Sequence, residues 1–502
     1  MEKFYITTPL YYVNDEPHIG HAYTTILADV ISRFNRSIGK EVFFLTGTDE
    51  HGQKVQEAAE KRGVSPKDHA DEFVKRFKNA WENLDISYDH FIRTTDDDHK
   101  QKVKKILTSL YEKGDIYFDE YEGLYSVSEE RFITEKEKEE GQFREVKTIK
   151  EKNYFFRMSK YQKMLIDHIN KNENFIRPES RKNEILGFLK KPLNDLCISR
   201  PKSRLSWGID LPFDNDYVTY VWFDALINYI SGIGWGDKSS KNFEKYWPAN
   251  YHLMAKDILT THCVYWPTML MACDIELPKT IFAHGWWLID NMKMSKSIGN
   301  VIRPLDLANE FGPDALRYYL MRNMVLGQDS TFTTNSFIER YNADLANDYG
   351  NVVNRVVILT KKYYDSKVPE PGKYNEIDKN LINQFNDLSN VLSSHLESLK
   401  IHELIEIIFS KIRLINKYLE EKEPWKTYKT NPNQGDITAT TLYISIECIR
   451  ICSQLLNPIM PNKTKLVLKA LNSIEPNLKF GEINIGQEID SIPTLFPRIE
   501  SK

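Results

Sequence analysis

The chain has 502 residues, of which 41% are hydrophobic and 27% charged, and its formal net charge is −4. That length is too great for a single hydrophobic core and predicts about two to four domains. The charge excludes a uniformly basic polyanion binder, although a local basic face for nucleic acid can coexist with an acidic total.

Cys197, Cys263, Cys273, Cys448 and Cys452 form no C-x-x-C pair. Their scatter fits reduced thiols in the cytosol, not a disulfide framework. The opening MEKFYITTPLYY has no basic segment followed by an apolar stretch, so it reads as a strand and not as a leader. The apolar run YVWFDALINYI carries Asp224 and Asn228 and is too short to span a bilayer. A soluble cytoplasmic protein with no membrane partner is the expectation.

Taken in chain order, the first ~110 residues alternate strand and helix signals, the pattern of an α/β domain on a parallel sheet. KFYITTPL is β-rich. A helix is expected from about Gly20 to Gly39, with Gly39 as the terminating glycine. EVFFLTGT predicts a second strand that opens onto a helix in DEHGQKVQEAAEKRG. Both strands run into polar turns at a helix start, where open α/β sheets bind ligands. From Asp115 the texture changes to DIYFDEYEGLYSV and a highly charged tract, which predicts an inserted domain. The α/β texture resumes near Tyr217 with YVTYVWFDALINYI, YHLMAKDILTTHCVYWPTML and KTIFAHGWWLID. A loop follows, NMKMSKSIGNVIRP. From about Asn342 to the end the pattern is helical. Ile401, Leu404, Ile405, Ile408, Ile412, Ile415 and Leu419 recur at three- and four-residue steps and mark one buried face.

The expected architecture is therefore a Rossmann-like α/β domain on a parallel sheet, split by a small α+β insertion and followed by an all-α bundle. Its expected parts are residues 1–114 and 218–290 for the two catalytic halves, 115–217 for the insertion, 291–345 for the lysine loop with a stem-contact region, and 346–502 for the helical domain.

Two stretches carry chemistry. In NDEPHIGHAY, His18 and His21 flank Gly20 at the mouth of a helix, just after Pro17. A helix N-terminus offers unpaired N–H groups and partial positive charge, which attract phosphate. Residues three apart share nearly one face, so both rings can aim at one anion. A metal reading would need a further ligand such as Asp49 or His51, and the spacing is not that of a zinc helix. Packing or capping is the plainer alternative, and the stretch alone leaves all three open. KMSKS places Lys293 and Lys296 among small residues ahead of Gly299. Such a loop can close over a polyphosphate and follow its developing charge. Alone, it reads as a solvated basic turn.

Together the two stretches resemble the signatures of the class I aminoacyl-tRNA synthetases. Both stand here unaltered, as His18-Ile19-Gly20-His21 and as Lys293 to Ser297. Within that family the chain is similar to the methionine-specific branch over nearly its whole length, through TTPLYYVNDEPHIGHAY, GTDEHGQK, YFFRMSKY, YVWFDALINYI, KDILTTHCVYWP and FGPDALRYYLMRN. The insertion is too small for the editing domain of the isoleucine, valine and leucine enzymes.

The resemblance implies a ligase that forms an aminoacyl-adenylate from ATP and transfers the aminoacyl group to tRNA. It implies a methionine pocket of Leu10, Tyr12, Trp222, Ala225, Tyr229, Ile258, His262 and Trp266, with Asp49 on the substrate ammonium. Aromatic rings suit a polarizable sulfur, and a donor from Tyr229 or His262 would mark it. His18, Gly20 and His21 would hold the triphosphate, Lys296 and Lys293 would stabilise the transition state, and Mg2+ would accompany the pyrophosphate. Asn351 and Arg355, at i and i+4, with Trp425 match the anticodon-reading pattern. Initiator and elongator tRNA(Met) are the implied partners. Many relatives carry Cys-x-x-Cys pairs in the insertion, but here Ser126 and Glu129 stand in their place, so no structural zinc is expected. The end of the chain soon after the bundle suggests a monomer. A nucleotidyltransferase and a non-catalytic tRNA-binding scaffold are the rival readings. The first does not need the helical domain, and the second expects eroded signatures.

Overall fold

The computed structural model describes residues 1–126, 131–133, 138, 146–289, 292–293, 301–430 and 435–500. They form two compact units. One comprises Met1–Pro17, Lys40–Asn79 and Ser87–His284; the other comprises His18–Gly39, Ala80–Ile86 and Gly285–Lys502.

The first unit is built on a six-stranded parallel sheet. Strands β1 (Lys3–Tyr12), β2 (Glu41–Asp49) and β3 (His90–Arg93) run in the order β3-β2-β1. The sheet continues through Tyr251–Ala255, Ile281–His284 and Ile176–Arg177. Both β1 and β2 are buried along nearly their whole length because a parallel strand is covered on both faces. The β1–β2 register sets Tyr12 opposite Asp49, so these two residues leave the sheet side by side at its carboxyl edge. Gly47 is required there: a Cβ at that position would lie 1.9 Å from the Ile92 carbonyl oxygen of β3. β2 then opens into α2 (Gln53–Arg62), which ends on left-handed Gly63.

The insertion forms its own antiparallel sheet, in the order Arg131–Ile133, Ile116–Ser126, Val146–Phe156, Leu196–Cys197. It is less separate than its texture implies. Ile176–Arg177, inside the stretch read as insertion, supplies an edge strand to the parallel sheet beside Ile281–Phe282. A two-residue strand gives no periodicity that a sequence reading can detect. Ser126 ends its strand, whereas Glu129 and residues 139–145 lie outside the described residues.

The second unit begins with α1 (Ile19–Ser37), capped by His18 and followed by Gly39 at φ +85°. Its bounds match the expected helix, but α1 groups with the C-terminal residues and not with the strands on either side of it in sequence. Arg317 shows one reason. Its guanidinium is fully buried and donates to Asp29 of α1 at 2.6 Å, to the carbonyls of Pro458 and Ile459, both at 2.9 Å, and to that of Leu84 at 3.1 Å. A buried charge is tolerated when it is paired and its donors are all used, and arginine's planar fork suits that task.

The bundle holds the long helices Ile401–Lys422 and Gly435–Leu456. All seven periodic residues of the first, from Ile401 to Leu419, are buried. The helical pattern does not reach the end of the chain. After Pro461–Ala470 the described residues form no further helix. Pro476, Gly481, Gly486, Pro493 and Pro497 interrupt this segment too often for an i→i−4 ladder. It docks instead through buried Ile483, Ile489, Leu495 and Phe496, and the fully buried pair Glu447–Arg450 holds its backbone at Asn477, Lys479 and Ile483. No helix among the described residues is long and apolar enough to cross a membrane.

Candidate functional site

At the mouth of α1 the two histidines cap the helix reciprocally. His18 Nδ1 accepts from the Gly20 N–H at 3.1 Å, and His21 Nδ1 accepts from the His18 N–H at 3.4 Å. The rings stack with centroids 3.7 Å apart and planes at 22°. Because both Nδ1 atoms accept, a neutral ring carries its proton on Nε2, the atom that would donate to a phosphate oxygen. The backbone differs from expectation. The Ile19 N–H donates to the Ile302 carbonyl at 3.0 Å, and the Gly20 N–H is used by His18. The cap thus moves the donor role from these two amides to the imidazoles.

The described residues on either side of the lysine loop are paired. Met292–Lys293 pairs antiparallel with Trp287–Ile289, and beyond the loop Ile302 holds the first N–H of α1. Lys296 and residues 294–300 lie outside the described residues, as does the side chain of Lys293.

In the first unit the expected pocket residues gather beside the sheet edge. Tyr229 Oη lies 2.7 Å from His262 Nε2, and His262 Nδ1 lies 2.9 Å from the Ile258 carbonyl. A carbonyl only accepts, so Nδ1 carries the proton. Burial pushes the His262 pKa down to about 4, so the ring is neutral and Nε2 must accept from Tyr229. In this state neither group offers the sulfur-directed donor that was expected. The Tyr229 hydroxyl proton already points at His262, and the Asn228 side chain also hydrogen-bonds the Tyr229 hydroxyl. Trp222 meets His262 edge-on at 6.1 Å, and Trp266 lies 5.7 Å from Tyr229. Tyr12, Trp222 and Ile258 are partly buried around a core that includes Tyr229 and Trp266, and Ala225 is buried as well. Leu10 packs on the neighbouring cluster of Tyr5 and Leu45. Asp49 is 3% exposed at the end of β2.

Two groups of supporting residues were not predicted. The first is the fully buried Asp224, which accepts from His51 Nδ1 at 2.6 Å and His99 Nε2 at 2.7 Å. Burial pushes its carboxyl up, but the two histidines outweigh that and leave it below the usual carboxylate range. Asp224 thereby ties the turn after Asp49 to the short helix Val221–Leu226, which carries Trp222 and Ala225. The only signal for it in the sequence is an acid inside an apolar run. The second is His252, fully buried and stacked on Tyr229 at 4.2 Å. Its Nε2 accepts from the Trp266 indole at 3.2 Å, so its Nδ1 donates to Thr7 Oγ1 at 2.8 Å. Desolvation pushes this ring's pKa well below the usual histidine value.

In the bundle, the helix Asn351–Tyr364 and the short helix Pro424–Thr430 bring the three predicted residues to one area. The Arg355 guanidinium lies over the Trp425 ring at 5.2 Å, and Asn351 is exposed one turn earlier. Asn351 also lines a groove with Asn347, Asn354 and Ile492–Phe496. Among the described residues no group of three or more His, Cys, Asp or Glu side chains could hold a metal ion.

Comparison with known proteins places the whole chain. Residues 4–142 and 141–357 match the family described as tRNA synthetases class I (M), and residues 368–500 match the anticodon binding domain of methionyl tRNA ligase. The chain belongs to the class I methionyl-tRNA synthetases. The methionine–tRNA ligases of Caldanaerobacter subterraneus subsp. tengcongensis and Clostridium tetani are 44% and 46% identical to it, each over 99% of this chain and 79% of that protein. Among solved structures, Mycobacterium tuberculosis methionyl-tRNA synthetase in complex with methionyl-adenylate superposes with a TM-score of 0.95 at 39% identity, covering 99% of this chain and all of that one. The free-state form of the mycobacterial enzyme gives 0.87 at 36% identity, over all of this chain and 99% of that one. The family thus spans both the sheet unit's pocket and the helices bearing Asn351, Arg355 and Trp425.

Proposed function

We propose that this chain charges tRNA with methionine. It activates methionine with ATP to methionyl-adenylate, releases pyrophosphate, and transfers the methionyl group to the 3′ end of tRNA. The likeness to methionine–tRNA ligases over 99% of the chain carries this reading.

The methionine carboxylate attacks the α-phosphorus in line, so catalysis is positioning and charge stabilisation without a general base. His18 and His21 hold the triphosphate through their Nε2 protons, and Gly20 lets the backbone approach. The fixed Nδ1 acceptors of the cap support this assignment. Lys296 is the principal transition-state cation and Lys293 assists it. Mg2+ enters with ATP on its phosphate oxygens, as part of the substrate. Asp49 takes the substrate ammonium. Leu10, Tyr12, Trp222, Ala225, Tyr229, Ile258, His262 and Trp266 wall the thioether pocket, which the aromatic cluster around Tyr229 supports. Asn351, Arg355 and Trp425 read the anticodon, and the cation–ring pair of Arg355 and Trp425 supports that role. Both initiator and elongator tRNA(Met) are substrates, because both carry the methionine anticodon. A single chain with an activation unit and an anticodon module works as a monomer in the cytoplasm.

ATP–pyrophosphate exchange across a panel of amino acids tests the reading. Exchange with methionine alone is expected. Exchange with no amino acid would leave a scaffold, and pyrophosphate chemistry without any amino acid would leave a nucleotidyltransferase.

A further inference from the structure

Beyond Trp425, the same two helices carry a second aromatic and cationic group. Tyr428, three residues after Trp425, stacks on Tyr363 of the helix Asn351–Tyr364 with ring centroids 4.1 Å apart and planes at 24°. Lys362 Nζ lies over the other partner, 5.6 Å from the Tyr363 centroid, and Tyr364 meets Tyr428 edge-on at 6.1 Å. Tyr428 is 37% exposed, and Lys361, Lys362 and Lys426 around it are exposed as well. A large ring on a polar surface usually buries its faces; this one keeps an exposed area among cations while its neighbour Tyr363 fixes its plane.

We infer that Tyr428, backed by Tyr363, is a second stacking platform for an unpaired nucleotide of the tRNA anticodon loop, next to the one at Trp425. This inference rests on the anticodon reading above. Three observations select single-stranded RNA as the occupant. The platform continues the Arg355–Trp425 surface: Tyr363 lies eight residues beyond Arg355 on one helix, and Tyr428 three beyond Trp425 on the other. Lys361 and Lys362 supply exposed positive charge that complements phosphate, whereas Lys426 is paired with Glu423 at 2.6 Å. The platform's rings are held flat against each other, so a base meets a preformed surface at little cost in side-chain entropy. Stacking of this kind tolerates any base. The platform therefore adds affinity for the loop and no choice of anticodon.

The test uses the full chain and a tRNA(Met) transcript, with KM for tRNA in aminoacylation and direct binding of a hairpin copying the anticodon stem-loop. Tyr428→Ala is expected to weaken hairpin binding and raise the tRNA KM by on the order of 5- to 100-fold. Tyr428→Phe keeps the ring and is expected to retain wild-type values. Tyr428→Leu keeps the apolar packing on Tyr363 without a flat face, and is expected to bind as weakly as Tyr428→Ala; it decides the matter if the alanine variant does not fold. Wild-type binding by the alanine or leucine variant, or a phenylalanine variant as weak as alanine, overturns the platform. Trp425→Ala in parallel separates the two claims. If it weakens hairpin binding while Tyr428→Ala does not, only the platform falls. If neither matters, the anticodon reading itself falls.

Discussion

Replacing Asp224 with asparagine tests how the pocket is held. Two histidine N–H groups converge on this carboxylate at 2.6 and 2.7 Å inside a fully buried site. Asparagine offers one carbonyl oxygen and one amide nitrogen, so one histidine must turn from donor to acceptor. His99 can do so, because its Nδ1 faces Ser231 Oγ at 2.7 Å and a hydroxyl serves either role. Asp224→Asn therefore strands neither histidine N–H, but it exchanges two charge-assisted hydrogen bonds for neutral ones and brings a second amide N–H into the buried site. At about 1.5–3 kcal/mol for a charged bond against about 1 for a neutral one, the loss over two bonds is about 1–4 kcal/mol. Asp224→Ala strands both N–H groups and costs about 3–5 kcal/mol. The bonds link the turn after Asp49 to the helix holding Trp222 and Ala225, so the loss should be felt at methionine. The expected result for Asp224→Asn is a methionine KM raised by about 5- to 100-fold, with the ATP KM within about twofold. ATP–pyrophosphate exchange measures both constants, and urea unfolding confirms that the protein is folded. A folded Asp224→Asn protein with an unchanged methionine KM would refute the argument that this carboxylate positions the pocket.

Three further outcomes are expected. Lys296→Ala should slow adenylate formation by about 10²–10³-fold with little change in methionine binding, the usual effect of losing one transition-state donor; near-wild-type single-turnover rates would remove its role. Trp425→Ala should weaken tRNA aminoacylation while exchange persists, and equal loss in both assays would point instead to a folding defect. His262 is neutral when folded, with a pKa of about 4, but titrates near 6.5 when unfolded. Between those values the unfolded chain takes up a proton that the folded one does not, so stability is lost as pH falls from about 6.5 to 4, by up to about 1.4 kcal/mol per pH unit. Urea midpoints of wild type and His262→Gln should converge as the pH drops through that window; a constant difference would mean that the ring is already charged when folded.

The sequence determined the elements and the chemistry that short-range pattern encodes. A β-rich composition gave β1 and a short apolar run gave β2, a polar turn and Gly39 bounded α1, and seven periodic residues marked the buried face of Ile401–Lys422. The two signature stretches pointed to ATP chemistry because a phosphate site needs several special residues within a few positions. Tertiary structure alone decided what depends on residues far apart in the chain. It joined Asp224 to His51 and His99 across 173 and 125 positions, and His252 to Thr7 across 245. It brought the edge strand Ile176–Arg177 to a sheet that a two-residue run cannot announce. It also fixed the proton positions, because the tautomers of His18, His21, His252 and His262 follow from whichever group stands at hydrogen-bond distance. Residue types can name an imidazole as a ligand for phosphate or sulfur. Only its neighbours in the fold determine which nitrogen carries the proton, and therefore what the imidazole can offer.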